Sequence, residues 1–368
     1  NTKYDYFSAL EYKEIDNCLI YINNMLKGHS RKFISSAESK YLKNSIQKPV
    51  MVNDIDKGKL ISKEDLYFRR TNQRGISYEE ICELQSDFNI IGKKFKKDDT
   101  VTTKAFKKAK IGVIVACRLK SSRLRKKALL PINNISSIER CLNNCLMIAN
   151  KDVVVLATSV LDEDKELKKY TLNGKVKFWQ GDPDDVISRY IGACEKYNID
   201  IIIRVTADCC LISPEITALL LESHFQTGAD YSAAKEFAVG TSPEIYNYEA
   251  LKRVIKFKGN AKYSEYMTWY MKNNSEIFKV NIVDLPSDMI RDYRLTLDYN
   301  EDLVMFNKLY EKIKEFNLSS NLNDIFKILD KYPEIAMINN HLELKYQTDQ
   351  DLINKLNLHT KIDSKNFK

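Results

Sequence analysis

Six cationic side chains crowd into ten residues directly after an apolar run. The run, residues 111–116, is short, β-branched and without polar alternation, which is typical of a strand buried on both faces of a parallel sheet. The loop after such a strand lies at the carboxyl edge of the sheet, where open α/β folds bind ligands. This loop predicts a polyanionic ligand, although a basic loop by itself is also common as a solvated surface. The cations are Arg118, Lys120, Arg123, Arg125, Lys126 and Lys127.

Two aspartates are predicted at the same edge of the sheet. Asp208 follows the apolar run 201–206, and Asp298 ends the segment RLTLD, with Asp302 one helical turn later. Either aspartate alone could be a helix cap or a turn residue. Mg²⁺, however, takes one or two carboxylates together with substrate phosphates. Cations and carboxylates at one edge therefore predict a phosphoryl or nucleotidyl transfer site that uses Mg²⁺.

The elements that must position these residues alternate along the chain. Such alternation predicts βαβ units and an α/β fold with a doubly wound, mostly parallel sheet. Ser213 is expected to cap one of the helices, with Pro214 at its first position. The predicted strands are 111–116, 153–158, 176–179, 201–206, 229–233 and 278–283, and the predicted helices are 138–148, 161–170, 184–197, 214–225 and 301–316.

The remaining segments differ in character from this unit, which we place at residues 110–345. Residues 1–47 contain one amphipathic helical pattern and a polar linker, which we expect to be the end of a larger unit, so that the chain is a fragment. Residues 48–106 read as a small β-rich module with one helical turn. Residues 346–368 read as a polar tail.

Composition limits the possible partners. The net charge of +8 is modest, lysine and glutamate are dispersed through most of the chain, and a concentrated basic face is confined to one loop, so no nucleic-acid partner is expected. No apolar run approaches the length of a membrane span, and the first residues do not read as a signal peptide, so we expect no membrane partner and a cytoplasmic location. The eight cysteines lack metal-ligand spacing and are expected to be buried free thiols.

Residues 111 to about 345 resemble the spore coat polysaccharide type of cytidylyltransferase, related to the enzymes that activate acylneuraminate and 3-deoxy-manno-octulosonate. The segments VVLATS, DDVISRY, IIIRVTADCCLI, RLTLD and PEIAMINNH follow in family order. Lys120 and Lys126 stand where the family has glycine, and Cys210 replaces a proline. The opening motif is matched by Ala116, Arg118, Ser121, Ser122, Arg123, Leu124, Lys127, Pro131 and Ile132.

This resemblance implies a Rossmann-like nucleotidyltransferase fold, with CTP and Mg²⁺ as co-substrates. Arg123, Lys127 and Asp208 would be catalytic, and Asp208 and Asp298 would hold the metal. Arg189 and Glu244 would contact the sugar. The nucleotide would be bound by Ala116, Arg118, Ser121, Ser122, Arg123 and Lys127.

The β-rich module resembles the antifreeze-like (SAF) domain at the end of sialic acid synthases. The resemblance is carried by DIDKG at 54–58, Arg70, Gly75 and IGK at 91–93. In that family the domain reaches over a neighbouring subunit's site, which implies a homo-oligomer with Arg70 contacting the sugar.

The leading hypothesis is a cytidylyltransferase that joins CMP to an acidic sugar of the nonulosonic type in surface-glycan biosynthesis. The alternatives are a non-catalytic protein that binds sugar or promotes oligomerisation, and a transferase using another nucleotide. Because the nucleotide and metal residues all follow Lys110, residues beyond 104 are expected to retain the transferase activity alone.

Overall fold

The N-terminal part of the chain contains two exposed helices and a small module. The structure, a computed structural model, describes residues 11–28, 34–121, 123–259 and 261–362. Helices α1 (Tyr12–Gly28) and α2 (Ser36–Ser45) precede the module. In the module two antiparallel strand pairs, rather than one sheet, surround a helix longer than the predicted single turn. Its elements are β1 (Gln47–Met51), β2 (Leu66–Arg70), α3 (Tyr78–Ser86), β3 (Asn89–Ile91) and β4 (Phe106–Lys108).

Within the described residues, a seven-stranded sheet forms the centre of the larger unit. Its order is β13-β11-β12-β10-β5-β8-β9, and β12 alone runs antiparallel to its neighbours. The chain leaves β5 in one direction and returns to its other side, which creates a crevice at the carboxyl ends of β5 and β10. The strands are β5 (Ile111–Ala116), β8 (Val153–Ser159), β9 (Lys177–Gly181), β10 (Ile201–Thr206), β11 (Tyr231–Ala234), β12 (Glu244–Asn247) and β13 (Val280–Val283).

Helices cover both faces of this sheet, because its central strands are apolar on both sides. On β5, Val113 and Val115 face one core and Ile114 faces the other. The first face is covered by α4 (Ser137–Met147), α6 (Pro214–Thr227), α9 (Asn300–Glu315) and α10 (Leu322–Lys331). The second is covered by α5 (Val186–Tyr197), α7 (Tyr248–Lys258) and α8 (Met267–Lys272). The doubly wound prediction is therefore confirmed.

Local sequence signals explain how individual elements begin and end. The Ser213 hydroxyl accepts a hydrogen bond from the backbone N–H of Ile216, and Pro214 opens α6, as predicted. Gly228 ends that helix in the left-handed conformation, with φ of 67°. A short hairpin of β6 (Pro131–Ile132) and β7 (Ile135–Ser136) leads from the basic loop into α4.

Most of residues 345–360, which lie largely in the predicted polar tail, are helical. After α11 (Pro333–Ala336) and α12 (Lys345–Thr348), helix α13 (Gln350–Thr360) packs against α8. Asn274 fixes the end of α13, since its side-chain amide donates to the Thr360 carbonyl at 2.9 Å and accepts from the Ile362 N–H at 2.8 Å. In the described part of the chain no helix has the length and apolar character needed to span a bilayer.

The N-terminal module packs on the edge where β5 and β10 begin. Leu60 and Ile90 belong to the same hydrophobic core as the first sheet face. The buried Gln85 amide donates to the Ile61 and Phe225 carbonyls at 2.7 and 3.0 Å, and Lys107 pairs with Asp200 at 2.8 Å. The module therefore lies at the edge opposite to the crevice.

Candidate active site

The basic loop after β5 forms one wall of a cleft of 320 Å³ at the carboxyl edge of the sheet. Lys127 begins a 3-10 turn, and the preceding Lys126 is left-handed with φ of 48°. Glycine adopts this left-handed conformation without strain, which explains why the family that this loop resembles has glycine at the position of Lys126. The wall contributed by the loop contains Ala116, Arg118, Lys120, Ser121, Arg123 and Lys127.

Lys127 joins the two predicted carboxylates. Its Nζ lies 2.8 Å from Asp208 Oδ2 and 2.8 Å from Asp298 Oδ1. Arg123 also pairs with Asp298 Oδ1 at 2.8 Å. The side chains of Lys127, Asp208 and Asp298 are 18%, 22% and 8% exposed, so the ion pairs are largely shielded from water. The structure thus brings together the three residues on which the predicted chemistry depends.

Asp302 and Arg294 hold Asp298 in place from behind. The completely buried Asp302 accepts the backbone N–H groups of Asp298 and Tyr299 at 2.8 and 2.9 Å and pairs with Arg294 at 2.9 Å. Asn339, from the C-terminal region, donates to Asp302 at 2.7 Å. Asp302 is therefore a positioning residue at the start of α9.

The electrostatics keep this cluster charged at neutral pH. Burial alone would raise the pKa of Asp208, but Lys127 and the Thr206 hydroxyl bring it below its ordinary value. Burial opposes the charge on Lys127 as well, yet Asp208 and Asp298 raise the pKa of its ammonium above the ordinary value.

The donor set fits a magnesium ion that arrives with a substrate. Among the described residues, no group of three or more His, Cys, Asp or Glu side chains is arranged to hold a metal. Asp208 and Asp298, however, both touch a single ammonium group, so their oxygens converge on one point. Two carboxylates that rely on phosphate oxygens for the remaining ligands are typical of Mg²⁺.

The other predicted nucleotide residues line the mouth of the cleft. Arg118 donates to the Pro183 carbonyl at 2.7 Å and faces Glu265 at 3.7 Å. The Ser121 hydroxyl lies 3.5 Å from the Leu124 backbone N–H. Ala116 ends β5 beside Thr206. Ser122 lies outside the described residues.

The three predicted sugar residues have different locations. Arg189 reaches the cleft, although its Nε and one terminal nitrogen donate to the Asp182 and Pro183 carbonyls. Glu244 lies in a buried network, where it pairs with Arg204 at 2.5 Å and accepts from the Thr268 hydroxyl. Arg70 is exposed on β2, in the module at the opposite edge.

Sequence reasoning missed Arg204 and Tyr346. Arg204 interrupts the apolar strand IIIRVT and lines the cleft, and a charge inside such a strand is a usable signal. Tyr346 comes from α12 and is 40% exposed. Partial burial, together with nearby groups that include Glu244 and Asp208, raises its pKa to about 12. No local pattern indicates that the C-terminal segment returns to the site.

The fold and the site together are those of an α/β protein with a strongly charged cleft at a topological switch point of its sheet. Residues 112–331 match the family model described as cytidylyltransferase. This match spans more than half of the chain, so the protein belongs to the cytidylyltransferase family, and the predictions of an enzyme and of its fold are confirmed.

Named relatives agree with this assignment. An uncharacterised protein of Methanocaldococcus jannaschii is 29% identical over 64% of this chain and 96% of its own length. The spore coat polysaccharide biosynthesis protein SpsF of Bacillus subtilis is 25% identical over 61% and 95%. The solved structure of a cytidylyltransferase from Leptospira borgpetersenii is 26% identical, covers 64% of this chain and 99% of that one, and superimposes with a TM-score of 0.57. The family match begins at residue 112, so the SAF resemblance of the module stays a prediction.

Proposed function

We propose that this protein transfers CMP from CTP to an acidic sugar of the nonulosonic type and releases pyrophosphate. The observation that carries the proposal is the Lys127 ammonium between Asp208 and Asp298, at the carboxyl edge of the sheet beside a strongly basic loop. This arrangement supplies cations for a triphosphate and carboxylates for Mg²⁺ within one cleft. The name of the Bacillus subtilis relative supports a role in surface-polysaccharide biosynthesis.

In this mechanism the chain acts mainly through charge and position. Arg118, Arg123 and Lys127 bind the triphosphate and neutralise the charge that develops on the departing pyrophosphate. Asp208 and Asp298 would hold Mg²⁺, which when bound would further neutralise the phosphate oxygens. A sugar hydroxyl attacks the α-phosphorus in line, the bond to the pyrophosphate oxygen breaks, and the hydroxyl proton is lost to solvent.

The acidity of the acceptor is supported by the charge of the cleft. Arg189 and Arg204 add two cations to those of the loop, while Asp208 and Glu265 are the acidic side chains of the lining. Glu244 pairs with Arg204, Asp208 and Asp298 pair with Lys127 and Arg123, and Glu265 faces Arg118. Among the described residues of the lining, this leaves the charges of Lys120 and Arg189 in excess. Such a surplus of positive charge favours a carboxylate-bearing sugar beside the triphosphate.

The resemblance of the module to an SAF domain suggests that the module contacts the active site of another subunit in a homo-oligomer. Arg70 belongs to a module at the opposite edge from its own cleft, so a contact with sugar would have to occur across subunits. Mixing R70A with the inactive D208N should then restore activity in mixed oligomers. Activity of R70A equal to that of the unmodified protein would reject this role.

The direct test is pyrophosphate release from CTP and Mg²⁺ with a panel of acidic sugars, including N-acetylneuraminate and 3-deoxy-manno-octulosonate. We expect release that requires CTP, the metal and one acidic sugar. ATP and GTP serve as controls for a transferase of another nucleotide specificity. Binding of CTP without release under any condition would favour the non-catalytic alternative.

A further inference from the structure

The charged groups around Lys127 balance one another. Three carboxylates and three cations form one connected cluster that is neutral when no ligand is bound. The pairs within it are short, at 2.8 Å for Lys127 with Asp208, 2.8 Å for Arg123 with Asp298 and 2.9 Å for Arg294 with Asp302. Five of the six side chains are at most 22% exposed and only Arg123 reaches further into solvent, so a net charge added to the cluster is poorly screened by water.

Each oxygen of the two carboxylates that would hold Mg²⁺ already accepts a hydrogen bond within the protein. The Lys127 ammonium donates hydrogen bonds to Asp208 Oδ2 and Asp298 Oδ1. The other Asp208 oxygen accepts the Thr206 hydroxyl at 2.5 Å, and the other Asp298 oxygen accepts from Arg294 at 3.3 Å. The ammonium lies where Asp208 Oδ2 and Asp298 Oδ1 converge, so a dication that binds both of these oxygens must take its place.

We propose that Lys127 is an exchangeable counter-ion that excludes a lone divalent cation from the site and admits it together with a triphosphate. The proposal rests on the proposed function, because it takes a nucleotide triphosphate as the polyanion that draws Lys127 away. Lys127 is in this respect a positioning residue for the metal, in addition to its contact with phosphate.

The charges of the ligands determine whether the ammonium can be displaced. A dication entering alone would displace the ammonium from both of its carboxylate partners, and would leave the neutral cluster with excess positive charge. A triphosphate carries several negative charges, so it offers the ammonium a new partner while the dication takes over the carboxylates. The two ligands therefore bind with positive coupling.

The backbone allows the ammonium to move without disturbing the loop. The Lys127 N–H donates to the Leu124 carbonyl at 3.3 Å, and the Lys127 carbonyl accepts the Ser137 hydroxyl at 2.8 Å. These bonds fix the main chain, whereas the four-carbon side chain can rotate about its own bonds. The exchange is thus a side-chain motion.

The test measures the affinity of Mn²⁺, used as a probe for Mg²⁺, in the absence of any nucleotide. In the full-length protein we expect Mn²⁺ to bind at least about tenfold more tightly to K127M than to the unmodified chain, because the methionine frees both carboxylates. K126M is the matched control, since it removes a neighbouring positive charge that pairs instead with Glu166. Its affinity should stay close to that of the unmodified protein.

Further variants keep the result interpretable. In the double variant K127M/D208N the gain should disappear, because the metal loses a carboxylate ligand. If K127M fails to fold, as judged by its near-ultraviolet circular dichroism, K127Q replaces it and should show a gain of the same sign.

Unchanged Mn²⁺ affinity in a folded K127M, an equal gain in K126M, or a gain that survives D208N would overturn the proposal. None of these measurements involves CMP transfer. A protein that shows the metal effect but transfers no CMP would refute the proposed function and leave the counter-ion role intact.

Discussion

At the scale of single residues, the site depends on contacts that are remote in sequence. Lys127 meets Asp208 across 81 positions and Asp298 across 171. The sequence could predict that each residue lies at the carboxyl edge, because each follows or ends an apolar run. It could not predict that one ammonium lies between the two carboxylates, since that contact depends on how the β5 loop folds back over the sheet.

Asp208→Asn tests the metal role at this scale. Asparagine keeps the shape but removes the anionic charge, so we expect kcat to fall by roughly 100-fold or more while the fold persists. Pyrophosphate release and the melting temperature are measured together. Asp56→Asn, at an exposed turn of the module paired with Lys94, should change neither quantity. Full turnover by D208N would remove Asp208 from the site.

A buried histidine gives a pH dependence of stability. His224 has no exposed surface, its Nδ1 contacts the Ser232 hydroxyl at 2.8 Å, and burial lowers its pKa to about 3. The unfolded chain binds a proton near pH 6.5, so this contribution to stability is complete above that pH and is lost as pH falls toward 3.

We expect the free energy of unfolding to fall by about 2 kcal/mol between pH 6.5 and 5 from this residue alone. Urea unfolding across this range measures the slope. H224N should show a smaller change of the unfolding free energy with pH. H359N, which removes a ring that stacks on Tyr263, should keep the change seen in the unmodified chain. Parallel slopes for H224N and the unmodified chain would reject the assignment.

Among the elements, the strands formed by continuous apolar runs, without alternating polar residues, could be predicted best. β5 and β10 have the predicted bounds because each is covered on both faces. β12 was missed because its sequence, EIYN, begins with a glutamate, whose burial depends on partners remote in sequence: Arg204 and the Tyr231 and Thr268 hydroxyls. Helix α13 was missed because a polar amphipathic segment with few buried residues resembles a solvated tail.

The ion pair between β10 and β12 predicts the effect of Glu244→Gln. Burial opposes the charge on Glu244, but Arg204 lowers its pKa below the ordinary value. Loss of the charge leaves Arg204 unpaired inside the sheet and should cost about 3 kcal/mol of unfolding free energy. E249Q, which breaks an exposed pair with Lys252, should cost little.

Urea unfolding compares the two variants. A raised KM for the acidic sugar in E244Q, without loss of stability, would instead indicate that Glu244 contacts the sugar directly.

At the scale of the whole molecule, the module and the sheet form a continuous structure. The sequence suggested that residues beyond 104 would fold and act alone, since that segment is large and holds every nucleotide residue. The packing shows that such a truncation would uncover part of a shared core, because Leu60 and Ile90 belong to a core of the larger unit and the Gln85 amide donates to the Phe225 carbonyl near the end of α6. Retention of activity by that segment stays a prediction. A boundary read from composition could not reveal this shared core.

Deleting residues 1–104 should therefore lower the melting temperature by roughly 10 °C or more, since two buried aliphatic side chains contribute several kcal/mol. Deleting residues 1–46 is the matched control, because α1 and α2 are exposed. That shorter deletion should leave the melting temperature nearly unchanged. Equal melting temperatures for both truncated proteins and the full chain would show that the module adds no stability.

The central claim is that the α-phosphate of CTP ends on an acidic sugar. The most direct measurement follows CTP labelled at the α-phosphorus in the presence of Mg²⁺ and the sugar panel, with γ-labelled CTP in a parallel reaction. We predict that the α-label appears in a CMP-sugar and the γ-label in pyrophosphate, and that D208N abolishes both. Retention of the α-label in CTP with every sugar, or its release as free CMP with no sugar adduct, would contradict the account.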